Sequence, residues 1–124
     1  MKILVVDASR AMRRIIVHSL SSIGEQDVLE ATDGLDAFSK AKAQEVDLVL
    51  TDWVMPGLDG LGLTQRLRAE NAYRELPIIM ITTEAEKSSV LEAIKAGVNN
   101  YILKPFTPET LKKKIEAAVN GISS

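Results

Sequence analysis

The chain has 124 residues, a formal net charge of −2 and 46% hydrophobic residues, so one domain over residues 1–124 with a real core is expected, not a disordered tail. The charge balance gives no general attraction to nucleic acid or anionic membrane. With no cysteine, disulfides, thiolate zinc sites and thiol nucleophiles are excluded.

In chain order, Ile3–Val6 forms a short apolar run that stops at Asp7. That run is too short for a leader peptide, and no later one approaches a membrane span; a cytoplasmic location is expected. Ser9 can cap a first helix that ends before Gly24. Met12, Ile15, Ile16, Leu20 and Ile23 make its inward stripe, with Arg13, Arg14 and His18 facing away. Arg10, Arg13 and Arg14 read as a solvated basic face, and His18 as a surface residue. A second strand is expected over residues 27–31. Asp33-Gly34 then opens a helix presenting Leu35, Phe38 and Ala41 to the core. Leu48–Thr51 is a third apolar run and ends at Asp52. After it, Met55-Pro56-Gly57-Leu58-Asp59-Gly60 is a loop, with Asp59 placed to cap a helix carrying Leu63 and Leu67. Residues 78–81 run into Thr82. A helix over residues 86–96 turns Val90, Leu91 and Ile94 inward and stops at Gly97. Residues 101–103 run into Lys104 and Pro105. Thr107-Pro108 begins the last helix, lined by Leu111, Ile115 and Val119.

Strands alternating with helices at this spacing imply right-handed crossovers and a parallel sheet covered on both faces. Five such units make a small doubly wound α/β fold. In open sheets of this kind, ligands bind at the carboxyl ends of the strands, and those ends carry Asp7, Asp52, Thr82 and Lys104. A lone Asp after a strand is most often a cap or turn residue; all four groups on one edge point to a metal ion and a phosphoryl group. Two close carboxylates resist joint ionisation without a cation. A hard cation such as Mg²⁺ takes oxygen ligands and keeps several waters. Asp52 can act as a nucleophile, with Lys104 and Thr82 meeting phosphoryl oxygens.

Six strings, Ile3-Leu4-Val5-Val6-Asp7, Met12-Arg13-Arg14, Thr51-Asp52-Trp53-Val54-Met55-Pro56 with Asp59-Gly60, Ile81-Thr82-Thr83-Glu84, Ala96-Gly97 and Tyr101-Ile102-Leu103-Lys104-Pro105-Phe106-Thr107, together resemble the receiver domain of response regulators. The resemblance covers nearly the whole chain, and three of the strings look like those of single-domain chemotaxis members. It implies a flavodoxin-like sheet of strand order 2-1-3-4-5 with five helices. It also implies a stand-alone switch in a two-component pathway, with Asp52 the phosphoacceptor and a sensor histidine kinase the donor. Such a protein is not an enzyme with external turnover; it catalyses only its own phosphorylation and dephosphorylation. By the same resemblance, Asp7, Asp52 and the Val54 backbone carbonyl hold Mg²⁺, Thr82 and Tyr101 form the switch, and Lys104 senses the phosphoryl group. The Lys104–Pro105 peptide is expected to be cis. Lys87, Val90, Ile94 and Tyr101 would lie on the face formed by the fourth helix, fifth strand and fifth helix, which docks on the flagellar motor switch. Core packing is the simpler reading for at least one of Val90 and Ile94. A monomer is expected, and the existence of a dedicated phosphatase stays open.

One position departs from the family pattern. The family's acidic pair would put a second carboxylate at position 8, a direct metal ligand, where this chain has Ala8. Weaker Mg²⁺ binding and slower phosphorylation follow from the lost anionic oxygen, but not their abolition, since water can fill the vacated place. Val54, two residues past the acceptor, is apolar and cannot orient an attacking water, which favours a longer-lived phosphoryl group; Glu84 lies across the same entrance. Ala8 keeps one alternative open, a phosphorylation-impaired pseudo-receiver or mutant docking module; a phosphorelay intermediate is a separate alternative, against which Asp52-Trp53, Met12-Arg13-Arg14 and Tyr101 lean. A flavodoxin-type electron carrier would need a hydroxyl- and glycine-rich loop after the first strand, which Asp7-Ala8-Ser9-Arg10 is not. An aspartyl-phosphate hydrolase would pair its nucleophile with an acid two residues on, where Val54 stands.

Overall fold

The computed structural model describes residues 1–83 and 87–120, and no side-chain detail for Lys87. Five strands, β1 (Ile3–Val6), β2 (Val28–Ala31), β3 (Leu48–Thr51), β4 (Ile78–Thr82) and β5 (Asn100–Leu103), alternate with five helices. These are α1 (Arg10–Ser22), α2 (Gly34–Ala43), α3 (Gly60–Arg68), α4 (Lys87–Ala96) and α5 (Pro108–Val119). All pairings are parallel, and the sheet order is β2-β1-β3-β4-β5, as the resemblance implied.

Alternation along each strand divides the core in two. Leu4, Val6, Val49, Ile78 and Met80 face α2, α3 and α4, where they meet Ala37, Ala41, Leu63, Leu67 and Ala93. Ile3, Val5, Leu48, Leu50, Ile79 and Ile81 face α1 and α5, where they meet Ile16, Leu20, Leu111 and Ile115. Both sides of the central strands are therefore apolar, which is why those strands read as unbroken hydrophobic runs. The helix starts follow their caps: Ser9, Asp33, Asp59 and Thr107 each accept a backbone N–H from three residues on, satisfying donors that the first turn leaves open.

Several helix faces differ from the sequence expectation. Ile15, Leu35, Leu91, Ile94 and Val119 are exposed, although the spacing put them inward. The buried contacts are made instead by Ser19, Gly34, Ala37, Ala93 and Ala118. Small side chains let a helix lie close to the sheet, and a close helix turns its neighbouring large residues out to the rim. The expected helix start at Glu86, and Glu84 itself, lie outside the described residues.

Arg68 fixes the end of α4 to α3. Its guanidinium donates to the Gly97 carbonyl from Nε at 3.0 Å and Nη2 at 2.8 Å, to the Tyr73 carbonyl and to Asn99 Oδ1. Gly97 has φ +112, and a Cβ there would press on the Arg68 side chain, so glycine serves both the helix stop and the clamp. Burial pulls the Arg68 guanidinium below its ordinary pKa, opposed by nearby Glu75.

Candidate functional site

Strand register brings the polar residues together. Val6 pairs with Thr51, so Asp7 and Asp52, one step further on, end adjacent strands at the same level. The Asp52 N–H donates to the Val6 carbonyl at 2.9 Å and the Asp7 N–H to the Ala31 carbonyl at 3.1 Å. On the other side Thr82 pairs with Leu103. The next residue, Lys104, donates its N–H to the Thr82 carbonyl at 3.0 Å, beside a cis Lys104–Pro105 peptide.

Lys104 closes the edge. Its Nζ lies 3.0 Å from Asp7 Oδ2 and 3.3 Å from Asp52 Oδ2. One ammonium thus bridges two carboxylates from strands distant in sequence. All three side chains are largely withdrawn from water, with Asp7 and Lys104 more so than Asp52. The second oxygen of each acid is also held: Asp7 Oδ1 accepts the Ser9 N–H and Asp52 Oδ1 accepts the Trp53 N–H, both at 2.8 Å. Two negative charges face one positive charge in a low-dielectric rim. A further cation would offset that excess.

Thr82 is buried at this edge. Tyr101, on the neighbouring strand, is half-buried and packs against the core beneath α4. Val90 is also half-buried, whereas Ile94 is exposed, so simple core packing does not account for Ile94. The side chain of Lys87 lies outside the described residues. Val54, two residues past Asp52, is exposed, and Ala8 stands exposed at the same rim.

Two residues acquire a part that the sequence alone did not reveal. Arg13, expected to face away, lies across the β1–α1 loop, donating from Nη1 to the Asp7 carbonyl at 2.7 Å and from Nε to Glu30 at 3.1 Å. It therefore fixes the backbone that carries Asp7. Gly60 starts α3 directly against the loop that follows Asp52: its N–H donates to the Trp53 carbonyl at 2.9 Å, and a Cβ there would collide with the Asp52 carbonyl oxygen. Only glycine permits that approach. Its signal was present in Asp59-Gly60, but a motif glycine gives no direction of contact.

The donor set fits a hard divalent cation. Asp7 and Asp52 offer carboxylate oxygens already converged on one positive charge. Among the described residues no group of three or more His, Cys, Asp or Glu gathers as a metal site. Mg²⁺ tolerates such a sparse set because it retains water.

A family model for the response regulator receiver domain matches residues 3–116, and the chain belongs to that family. It is 53% identical over 120 residues to chemotaxis protein CheY1 of Helicobacter pylori, covering 96% of this chain and 97% of that one. Its fold matches a crystal structure of Vibrio cholerae CheY4 with TM-score 0.88 and 33% identity, covering 94% of this chain and 97% of the other. The receiver domain of a Pseudomonas aeruginosa sensor histidine kinase, solved with a magnesium ion coordinated in its active site cleft, matches with TM-score 0.87 and 31% identity, over 96% and 97% of the two chains. These likenesses put the chain among chemotaxis receiver domains of the CheY type.

Proposed function

We propose that this chain is a phosphorylation-controlled docking switch, with Asp52 as phosphoacceptor. The observation that carries the reading is the Lys104 ammonium held between Asp7 and Asp52 at the carboxyl edge of the sheet. A carboxylate oxygen of Asp52 attacks the phosphorus of a kinase phosphohistidine or small phosphodonor; the P–O bond forms as the bond to the leaving group breaks. Lys104 meets the charge on the transferred group, and the Thr82 hydroxyl donates to another of its oxygens. Asp7, Asp52 and the Val54 carbonyl would hold Mg²⁺, which when bound neutralises charge on the acids and the incoming phosphoryl group. With Ala8 in place of an acid, that binding is weak. The chain turns over no external substrate; it promotes only its own phosphorylation and dephosphorylation. The exposed Val54 side chain offers no group to orient water, so Val54→Asn should hydrolyse its phosphoryl group faster in a radiolabel chase.

Phosphorylation shifts a two-state population: Thr82 moves to the phosphoryl group, Tyr101 turns inward, and the face of Val90, Ile94 and Tyr101 changes shape. A sensor histidine kinase upstream and the flagellar motor switch downstream are the partners that this chemistry and the chemotaxis relatives support.

Trp53 tests the reading, because its own N–H holds Asp52 Oδ1. Titration with Mg²⁺ and then beryllofluoride should change its fluorescence, and Asp52→Asn should lose the response. A second reading, a docking module that works without phosphorylation, has Ala8 in its favour. Silence up to high Mg²⁺, reversed by Ala8→Asp, would support it.

A further inference from the structure

We propose that the groove between α1, β2 and α2 is a docking site for an acidic polypeptide segment of a partner, separate from the face built on α4 and β5. Arg10, Arg13, Arg14, Val17, His18 and Ser21 repeat at helical spacing along α1 and form one wall of an open groove of about 650 Å³. Glu30, Thr32 and Lys40 form the other wall. Four permanently cationic side chains thus face a single carboxylate, on a chain whose net charge is −2.

The wall has a fixed part and an open part. Arg13 is tied to Glu30 and the Asp7 carbonyl, and Lys40 to the Glu30 carbonyl and Asp36. Arg10 and Arg14 are exposed and make no ion pair among the described residues, so their full charge is offered to a partner. The stripe from Arg10 to Ser21 extends roughly 16 Å along the helix axis. A compact phosphate ligand needs donors that converge on a point. The open cations, Arg10 and Arg14, stand about one turn apart, and half-buried Val17 floors the groove beyond them, a pattern that matches a chain segment with carboxylates at one end and an apolar side chain further on. A merely solvated face, the reading that the sequence suggests for these arginines, would not need two further elements to wall it in.

The test uses a labelled Glu-rich peptide of about twelve residues, long enough to span the stripe, titrated into the whole protein at low salt and read by anisotropy. Arg10→Glu/Arg14→Glu should weaken binding by about tenfold or more. Lys112→Glu/Lys113→Glu on α5, an equal change of net charge, should weaken it less than about twofold. Arg13 is left intact because it holds the Asp7 loop. Backbone amide shifts on binding should centre on Val17 and Thr32. Equal losses from the two double variants would overturn the proposal, since net charge alone would then explain the binding. So would inorganic triphosphate binding as tightly as the peptide, or no peptide binding to a wild-type protein whose Trp53 spectrum is native.

Discussion

At the carboxyl edge of the sheet Asp7 and Thr82 are each 2% exposed, whereas on α4 Leu91 and Ile94 are 49% and 53% exposed. One region buries polar groups and the other exposes apolar ones. The ordinary partition of side chains is inverted at both, and each inversion has a cost that the fold alone does not require. The edge holds like charges in a poorly solvated place, tolerable because Lys104 bridges them. The α4 face leaves apolar surface in water, tolerable because the residues are few. On the proposed function the edge serves chemistry and the face serves contact, and β5 joins them, carrying Tyr101 at one and leading into Lys104 at the other.

The largest expected effect comes from the edge. Asp52→Asn should reduce phosphoryl incorporation from acetyl phosphate by more than about a hundredfold, since an amide is not a nucleophile there. The same variant should fold at least as stably as wild type, because it removes one of two like charges around Lys104. Radiolabel incorporation alongside a urea melt checks both halves. Appreciable incorporation would move the acceptor elsewhere.

Lys104→Ala tests the bridge itself. Asp7 and Asp52 would then face each other uncompensated, and removing one partner of a largely buried pair typically costs about 3 kcal/mol. The loss should be smaller in millimolar Mg²⁺, which can replace the missing charge. A urea melt that shows no Mg²⁺ dependence would mean that the two acids do not share a cation.

The α4 face gives a sharper contrast, because adjacent residues there have opposite surroundings. Ala93 is fully buried against the sheet, and Ile94 is half in water. Ala93→Asp should cost about 3 kcal/mol or more through an unpaired buried charge. Ile94→Asp should change stability by less than about 0.5 kcal/mol while weakening capture of a motor-switch peptide by about tenfold. Comparable melting losses for both would contradict the placement of the helix.

This pair also marks how far the sequence could be read. Strand runs, the caps at Ser9, Asp59 and Thr107 and the sheet-edge residues were legible, because apolar runs, Ser/Thr/Asp before a helix and residues that end a strand are local signals. Helix faces were not. Spacing selected Ile15, Leu35, Leu91, Ile94 and Val119 as inward, yet contact is made by Ala37, Ala93 and Ala118, whose small size carries little hydrophobic weight in a periodicity count. Arg13 and Gly60 were missed for a different reason. A hydrogen bond to a backbone carbonyl and a missing Cβ leave no pattern along the chain. Asp7 and Asp52 were legible as a pair of acids at one sheet edge, and Ala8 shows where the chain departs from the family pattern.

The smallest effect lies outside both regions, at Asp36 on α2, and calibrates them. Burial alone would raise its carboxyl pKa, but the Thr32 N–H and Lys40, at 3.1 Å and 3.3 Å from Oδ2, outweigh that and hold it below the ordinary value. A depressed acid stabilises the fold above its unfolded pKa, and that contribution is lost as pH falls through the folded value. Asp36→Asn should therefore cost about 0.5 kcal/mol at pH 7, as for other exposed helix pairs. The gap between variant and wild type should close as pH falls through the lowered folded pKa of Asp36, below which both side chains are neutral. Lys40 here meets one solvated acid, whereas Lys104 meets two withdrawn ones. The ratio of the Lys104→Ala and Asp36→Asn losses at neutral pH therefore measures how much the sheet edge strengthens the same kind of ion pair. Equal losses would mean that the edge is as wet as the surface, and would remove the reason for treating it as a chemical site.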